Sequence, residues 1–341
     1  MKNSQNSAST GVIFFFGAGA SVDAGMPTVS ELTKELRNIL HELPDVNGKP
    51  RPEFKYLFEL IAEVDISVEE NYEKFFKWLY LLNESQKEPF SKFLGPKKEQ
   101  EIFKNVGELS FVIGNGIKRI LKSRNTEPGY LSQFSDFIPA TERLKIFTLN
   151  YDCCLEDACR SAGIDITTGF NTESKKWNPD LFKNNKRGIN LYKLHGSLRW
   201  FGVRDKNNFR CTMELIELNN KNRQSLSANY TITSYPELIL GPESKMQPDD
   251  PFITLLYEFH VAIYQAKVCV IIGYGYGDEH INKMLDKALD NGLTIIDINI
   301  GDPNTRYLSE QRYKHLKNKT KEALENGLIK KELQKFVQRD I

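Results

Sequence analysis

Gly11-Val-Ile-Phe-Phe-Phe16 runs directly into Gly17-Ala-Gly-Ala-Ser21. A short apolar run that stops at glycine is the pattern of a strand buried on both faces of a parallel sheet. Glycine after such a strand permits a tight turn and a close approach of backbone to a ligand. A helix is expected from about Ser30. The same order returns at Val268-Cys-Val-Ile-Ile272, where Gly273, Gly275 and Gly277 follow and a helix is expected from about Asp278. Leu144 to Leu149, with a helix from Asp152 to about Ala162, makes a third pair. Asn190 to Leu194 reads as a short strand and Leu293 to Ile300 as the last one. Apolar strands alternating with helical patterns predict an α/β chain built on a doubly wound, Rossmann-like parallel sheet.

Between the first two strands the pattern is helical. Phe54, Leu57, Phe58 and Ile61 recur at helical spacing, as do Phe75, Phe76, Leu79 and Leu82, and a further helix is expected over Ile102 to Leu121. The expected organisation is a Rossmann-like catalytic domain from 1–52 and 139–305, interrupted by an inserted helical module at 53–138. Residues 203–230 read as polar and irregular. From Arg306 the chain carries ten Lys and Arg against five Asp and Glu, so 306–341 reads as a basic helical tail with a solvated face.

Composition excludes several classes. The 341 residues hold 46 Lys plus Arg against 45 Asp plus Glu, a net charge of +1, so bulk electrostatic binding of nucleic acid is not expected. No apolar run approaches the ~20 residues that span a bilayer. The polar start, MKNSQNSAST, lacks a signal-peptide core. Five cysteines without a Cys-x-x-Cys pair argue against a disulfide framework and against a zinc ribbon, and point to a reduced cytoplasm. No metal site is expected, because the histidines and cysteines do not cluster.

The residues with chemical potential stand at strand ends. Gly17, Gly19 and Gly25 follow the first strand, but Val22 stands where a Gly-x-Gly-x-x-Gly motif needs its last glycine, and no lysine completes a P-loop. Two glycine loops at strand ends favour a dinucleotide over a mononucleotide. In Thr148-Leu-Asn150-Tyr-Asp152, Asp152 suits a helix cap, while the Asn150 amide is placed to point into a crevice. In Lys193-Leu-His195-Gly-Ser197, Gly196 permits a sharp turn that thrusts His195 out, as a structural or an acid–base group. Asn299, ending the last strand, suits either a ribose or adenine contact or a strand-end turn. His280 stands on the first turn of a helix, where capping and surface roles compete with a place in the crevice.

Taken in chain order, Gly17-Ala-Gly-Ala-Ser21 with Gly25-Met-Pro27, Thr148-Leu-Asn150-Tyr-Asp152, Lys193-Leu-His195-Gly-Ser197, Leu240-Gly-Pro-Glu243, Gly273-Tyr-Gly-Tyr-Gly277 and Ile296-Asp-Ile-Asn299 resemble the sirtuin superfamily. The set is most similar to the sirtuin-like NAD-hydrolase domains of bacterial anti-phage defence systems. The resemblance implies that Gly17, Ala18, Gly19 and Ser21 hold the NAD pyrophosphate, and that Asn150 holds the nicotinamide ribose and the attacking water. It further implies that Asp152 contacts the carboxamide, that His195 is the catalytic histidine beside the ribose hydroxyls, and that Gly273 and Asn299 lie on the adenosine side. Two departures stand out. Pro27 is followed by Thr28-Val-Ser30, where sirtuin deacylases have Asp-Phe-Arg, and Cys211 is the lone cysteine between His195 and Cys269, so the four-cysteine ribbon of deacylases is missing.

The resemblance therefore implies hydrolysis of NAD to nicotinamide and ADP-ribose, with NAD as substrate and no metal. The alternatives are an NAD-dependent protein deacylase and a non-catalytic NAD- or ADP-ribose-binding regulatory module. Because an unrestrained NAD hydrolase would poison its own cell, gating is expected, by homo-oligomerisation, by a partner such as an ATPase, or by a phage-derived trigger. The helical block at 53–138 is the expected assembly surface.

Overall fold

The computed structural model describes residues 11–42, 52–85, 106–184, 186–205, 214–218, 230–233, 237–240 and 249–337. The chain divides into two compact units. One comprises Met1–Met26, Asn125–Glu237 and Pro248–Ile341, the other Pro27–Arg124 and Leu238–Gln247.

The first unit is organised by a parallel sheet of seven strands. In chain order these are β1 (Val12–Phe16), β2 (Leu144–Thr148), β3 (Ile166–Thr167), β4 (Ile189–Lys193), β8 (Val268–Ile272), β9 (Thr294–Asn299) and β10 (Tyr313–Lys317). The spatial order is β10-β9-β8-β1-β2-β4-β3. The strand β1 explains its own sequence. Phe14 and Phe16 enter the apolar cluster on one face, with Phe134, Ile146, Leu155 and Val270. Ile13 and Phe15 enter the cluster on the other, with Phe147, Phe259, Cys269 and Ile271. Buried from both sides, β1 has no position for a polar residue.

Order also locates the crevice. β1 is flanked by β2 and β8. The next strand after β1 in the sequence is β2, on one side, and the next after β8 is β9, on the other. Strand order thus reverses between β1 and β8, and their carboxyl ends form the topological switch point where sheets of this kind bind ligands. The expected doubly wound α/β fold is the one observed.

Three local expectations change. Leu293 to Ile300 was to be the last strand, and 306–341 a helical tail. Instead Tyr313–Lys317 forms β10, paired in parallel with β9 from Tyr313↔Ile295 to Lys317↔Asn299, before helices Thr320–Glu325 and Leu328–Val337. The strand was missed because it is an edge strand, with lysines at Lys314 and Lys317 interrupting its apolar pattern. The stretch expected to be irregular contributes a small antiparallel sheet, β6-β5-β7, from Trp200–Asp205 (β5), Glu214–Glu217 (β6) and Tyr230–Ile232 (β7). Residues 128–137, expected inside the helical block, are 3-10 turns of the first unit that place Tyr130, Leu131 and Phe134 in its core.

The second unit is helical, with helices Val29–Glu42, Pro52–Val64, Tyr72–Ser85 and Val106–Lys122. Its core includes Leu32, Leu36, Phe58, Phe75, Leu109, Ile113 and Ile117. The departure at Thr28 has a structural use. Thr28 N–H donates to Glu31 Oε2 at 2.8 Å and Glu31 N–H donates to Thr28 Oγ1 at 3.2 Å, a reciprocal capping box that starts the first helix. No helix among the described residues is long and apolar enough to cross a membrane.

Candidate functional site

The site is built from main chain first. Gly17 N–H donates to Ile272 O at 3.0 Å and Gly19 N–H to Gly273 O at 2.9 Å. The two glycine loops therefore lock together at the ends of β1 and β8. A Cβ on Gly17 would lie 2.6 Å from Gly273 O, and one on Gly273 would lie 2.3 Å from Gly19 C, with Gly273 already at φ +62°. No side chain fits there. These glycines serve the contact between loops, and their N–H groups are engaged within the protein. Ala20 and Ser21 N–H close a 3-10 turn on Gly17 O and Ala18 O.

Asn150 is bolted to the first loop. Its side-chain Nδ2 donates to Gly17 O at 2.9 Å and lies 3.3 Å from Ser21 Oγ, while its own N–H donates to Thr148 Oγ1 at 3.0 Å. A carbonyl can only accept, so the amide nitrogen must face Gly17, and Oδ1 is the end that remains as an acceptor. Asp152 is buried, and its Oδ1 accepts from Cys154 N–H at 2.9 Å, but the N-cap position of the helix that follows is Cys153, one residue later than expected. That contact engages Oδ1 at the start of the helix Cys154–Ser161. Cys154 packs in the core.

His195 follows β4. Leu194 N–H donates to Thr148 O at 2.9 Å, which continues the pairing of β4 with β2, and Gly196 at φ +89° then turns the chain sharply. The imidazole is buried, and its Nε2 lies 3.1 Å from Oδ2 of the equally buried Asp278. Asp278 is the N-cap of helix Glu279–Asp290: its Oδ1 accepts from His280 N–H at 3.0 Å and from Ile281 N–H at 3.4 Å. One carboxylate thus holds a helix start with one oxygen and a histidine with the other. Tyr274 braces it. The phenol oxygen accepts from Asp278 N–H at 3.1 Å and lies 3.0 Å from Asn282 Oδ1, whose amide donates to Tyr276 O at 2.8 Å. His280 has an exposed side chain and meets this group through its backbone.

Asn299 acts at the strand end. Nδ2 donates to Tyr274 O at 3.0 Å, and its carbonyl accepts from Asn318 N–H at 3.1 Å, so it ties β9 to the second glycine loop.

Beneath the site lies a buried ion pair. Lys193, at the end of β4, donates to Glu156 Oε1 at 3.0 Å and to Asp152 O. Burial works against this ammonium, but Glu156, Cys153 and Asp152 together hold its pKa above the usual lysine range. Sequence reasoning missed Asp278, Tyr274, Asn282 and Lys193 as a set. The available signal was an Asp at the first turn of the helix after the second glycine loop, and a lysine among apolar residues on a buried strand. Among the described residues no group of three or more His, Cys, Asp or Glu could hold a metal. Glu243 and Cys211, which figured in the sequence argument, lie outside the described residues.

No curated protein matches the chain. Solved structures similar to it include a Sir2 homologue–NAD complex at 15 % identity and TM-score 0.45, covering 94 % of this chain and 90 % of that one. Another is Sir2Tm bound to a propionylated peptide, at 11 % identity and TM-score 0.42, covering 94 % and 93 %. Residues 144–295, which run from β2 to the start of β9 and include Asn150, His195 and Asp278, match the family model described as a SIR2-like domain.

Proposed function

We propose that this protein hydrolyses the nicotinamide–ribose bond of NAD, releasing nicotinamide and ADP-ribose, as an effector of anti-phage defence. The observation that carries the reading is that Asn150 is held by the first of two interlocked glycine loops and His195 by Asp278, just after the second, with Asn150, His195 and Asp278 inside the stretch matched by the SIR2-like family model. Cleavage of a glycosidic C–N bond proceeds through an oxocarbenium-like state, which calls for orientation and electrostatics more than for a strong nucleophile. Asn150, oriented with Oδ1 as acceptor, would accept a hydrogen bond from the attacking water or a ribose hydroxyl. His195 would accept from a ribose hydroxyl and concentrate electron density as nicotinamide departs. Ala18 and Ser21 would line the pyrophosphate side, with Gly273 and Asn299 on the adenosine side and Asp152 toward the carboxamide.

Gating follows from the chemistry, since unrestrained hydrolysis would deplete the cell. We assign it to self-assembly or to a partner that senses infection, an ATPase or a phage-derived trigger. The test is purified protein with NAD, with products separated by chromatography and the oligomeric state measured in parallel. His195→Ala and Asn150→Ala should each lower turnover ~10²–10⁴-fold with an unchanged circular-dichroism spectrum. Near-wild-type turnover by either variant overturns the site. Nicotinamide release that depends strictly on an acyl-lysine peptide overturns hydrolysis in favour of deacylation, and a fully active monomer overturns gating by assembly.

A further inference from the structure

We infer that Asp278 is a positioning residue that fixes the tautomer of His195, so that Nδ1 and not Nε2 is the ring nitrogen that meets the ribose hydroxyl; this rests on the NAD-hydrolase reading. The argument starts from what each atom can do. A carboxylate is acceptor-only. Its Oδ2 lies 3.1 Å from His195 Nε2, so in the neutral ring the proton sits on Nε2 and Nδ1 carries the lone pair. The pair is buried, with His195 5 % and Asp278 4 % exposed, so water does not compete for this bond. Asp278 cannot swing away, because Oδ1 is held by His280 and Ile281 N–H and its backbone N–H is held by Tyr274. Any positive charge the ring gains on accepting a sugar proton is met by the carboxylate. The second glycine loop thereby orients the histidine that the β4 loop supplies.

The helix cap makes the test unusually clean. In Asp278→Asn the cap requires an acceptor at the Oδ1 position, since two backbone N–H groups point at it, and Asn is as good a cap as Asp. The amide NH₂ must then face His195 Nε2. Nε2 is forced to accept, the ring proton moves to Nδ1, and the lone pair is lost from the working side. Shape and cap are kept while the tautomer is inverted.

The experiment is ¹⁵N NMR of the histidine rings in the full chain without NAD, assigned through His195→Gln, together with steady-state NAD hydrolysis. Expected are a protonated Nε2 and bare Nδ1 in the native protein, the reverse in Asp278→Asn, and a kcat lower by ~10²–10⁴-fold with KM changed less than threefold. A bare Nε2 in the native protein, or an Asp278→Asn enzyme within threefold of native kcat, overturns the proposal. Asp278→Ser, which keeps a cap but removes Oδ2, guards against a folding artefact and should lose activity while its melting stays near native. If the native chain consumes no NAD in any assembly state, the hydrolase reading fails, and the ring ¹⁵N signals still decide which nitrogen Asp278 holds protonated.

Discussion

Replacing Lys193 by Met should destabilise the protein by ~3–5 kcal/mol. The reasoning is local. Lys193 is 1 % exposed and Glu156 5 %, and Nζ and Oε1 are 3.0 Å apart. Methionine fills nearly the same volume, so packing changes little, but Glu156 is left as a buried carboxylate facing an apolar stem. Arg199, the other cation near it, directs Nη2 at both oxygens of Asp157, at 2.8 and 3.0 Å, and so is already paired. The Asp152 carbonyl also loses its donor, ~1 kcal/mol of the total. Against a typical stability of ~5–15 kcal/mol the loss is large. The assay is urea unfolding followed by tryptophan fluorescence, on the single variant and on Lys193→Met combined with Glu156→Leu. The double variant should recover at least ~2 kcal/mol, because replacing both members of a buried pair removes the unpaired charge. A single variant that loses under ~1 kcal/mol, or a double variant no more stable than the single, would refute the argument that this pair is a desolvated, mutually dependent unit.

The loop contacts make a sharper comparison among glycines. Gly273→Ala should cost ~2–4 kcal/mol, since its Cβ would fall 2.3 Å from Gly19 C and its φ is +62°. Gly275→Ala, whose Cβ meets nothing within 4 Å, should stay within ~0.5 kcal/mol of native; equal thermal midpoints for the two would contradict the interlock. Asp297 on β9 supplies a pH dependence. Burial raises its pKa above the ordinary 3.8, although Tyr313 and His315 pull the other way. Its contribution is therefore fully present below 3.8 and is lost as pH rises through the higher folded value. Asp297→Asn should flatten the fall in stability across that range, and parallel urea midpoints for the two proteins between pH 4 and 8 would count against it.

Much of the site was legible because its parts follow buried strands. The apolar runs of β1, β2 and β8 announce themselves, and the residue after each run is fixed by the chain to the carboxyl edge of the sheet. Asn150 and His195 could be chosen on those grounds. Asp278 could not be paired with His195, because 83 residues separate them and only the parallel arrangement of β4, β2, β1 and β8 brings their strand ends to one side. The glycines were legible as a loop but not as partners. Their pattern fits amides that cradle a phosphate, whereas the structure engages the N–H groups of Gly17 and Gly19 on the opposite loop. β10 escaped notice because an edge strand faces solvent, and Lys314 and Lys317 break the apolar signature by which buried strands are found. The capping box at Thr28 and Glu31 was written plainly in the sequence, yet its threonine was weighed only against a family pattern.

The interlocked loops also set the terms on which this region can change over generations. At Gly17, Gly19 and Gly273 every side chain collides with main chain, so mutation there is closed off whatever ligand the crevice takes. Gly275 and Gly277 are open to substitution on steric grounds, and Ala18 already carries a side chain in the same turn. A side chain can be added at those positions without disturbing how the two loops are held. The floor of the crevice is thus divided into three positions that admit no side chain and others between them that do.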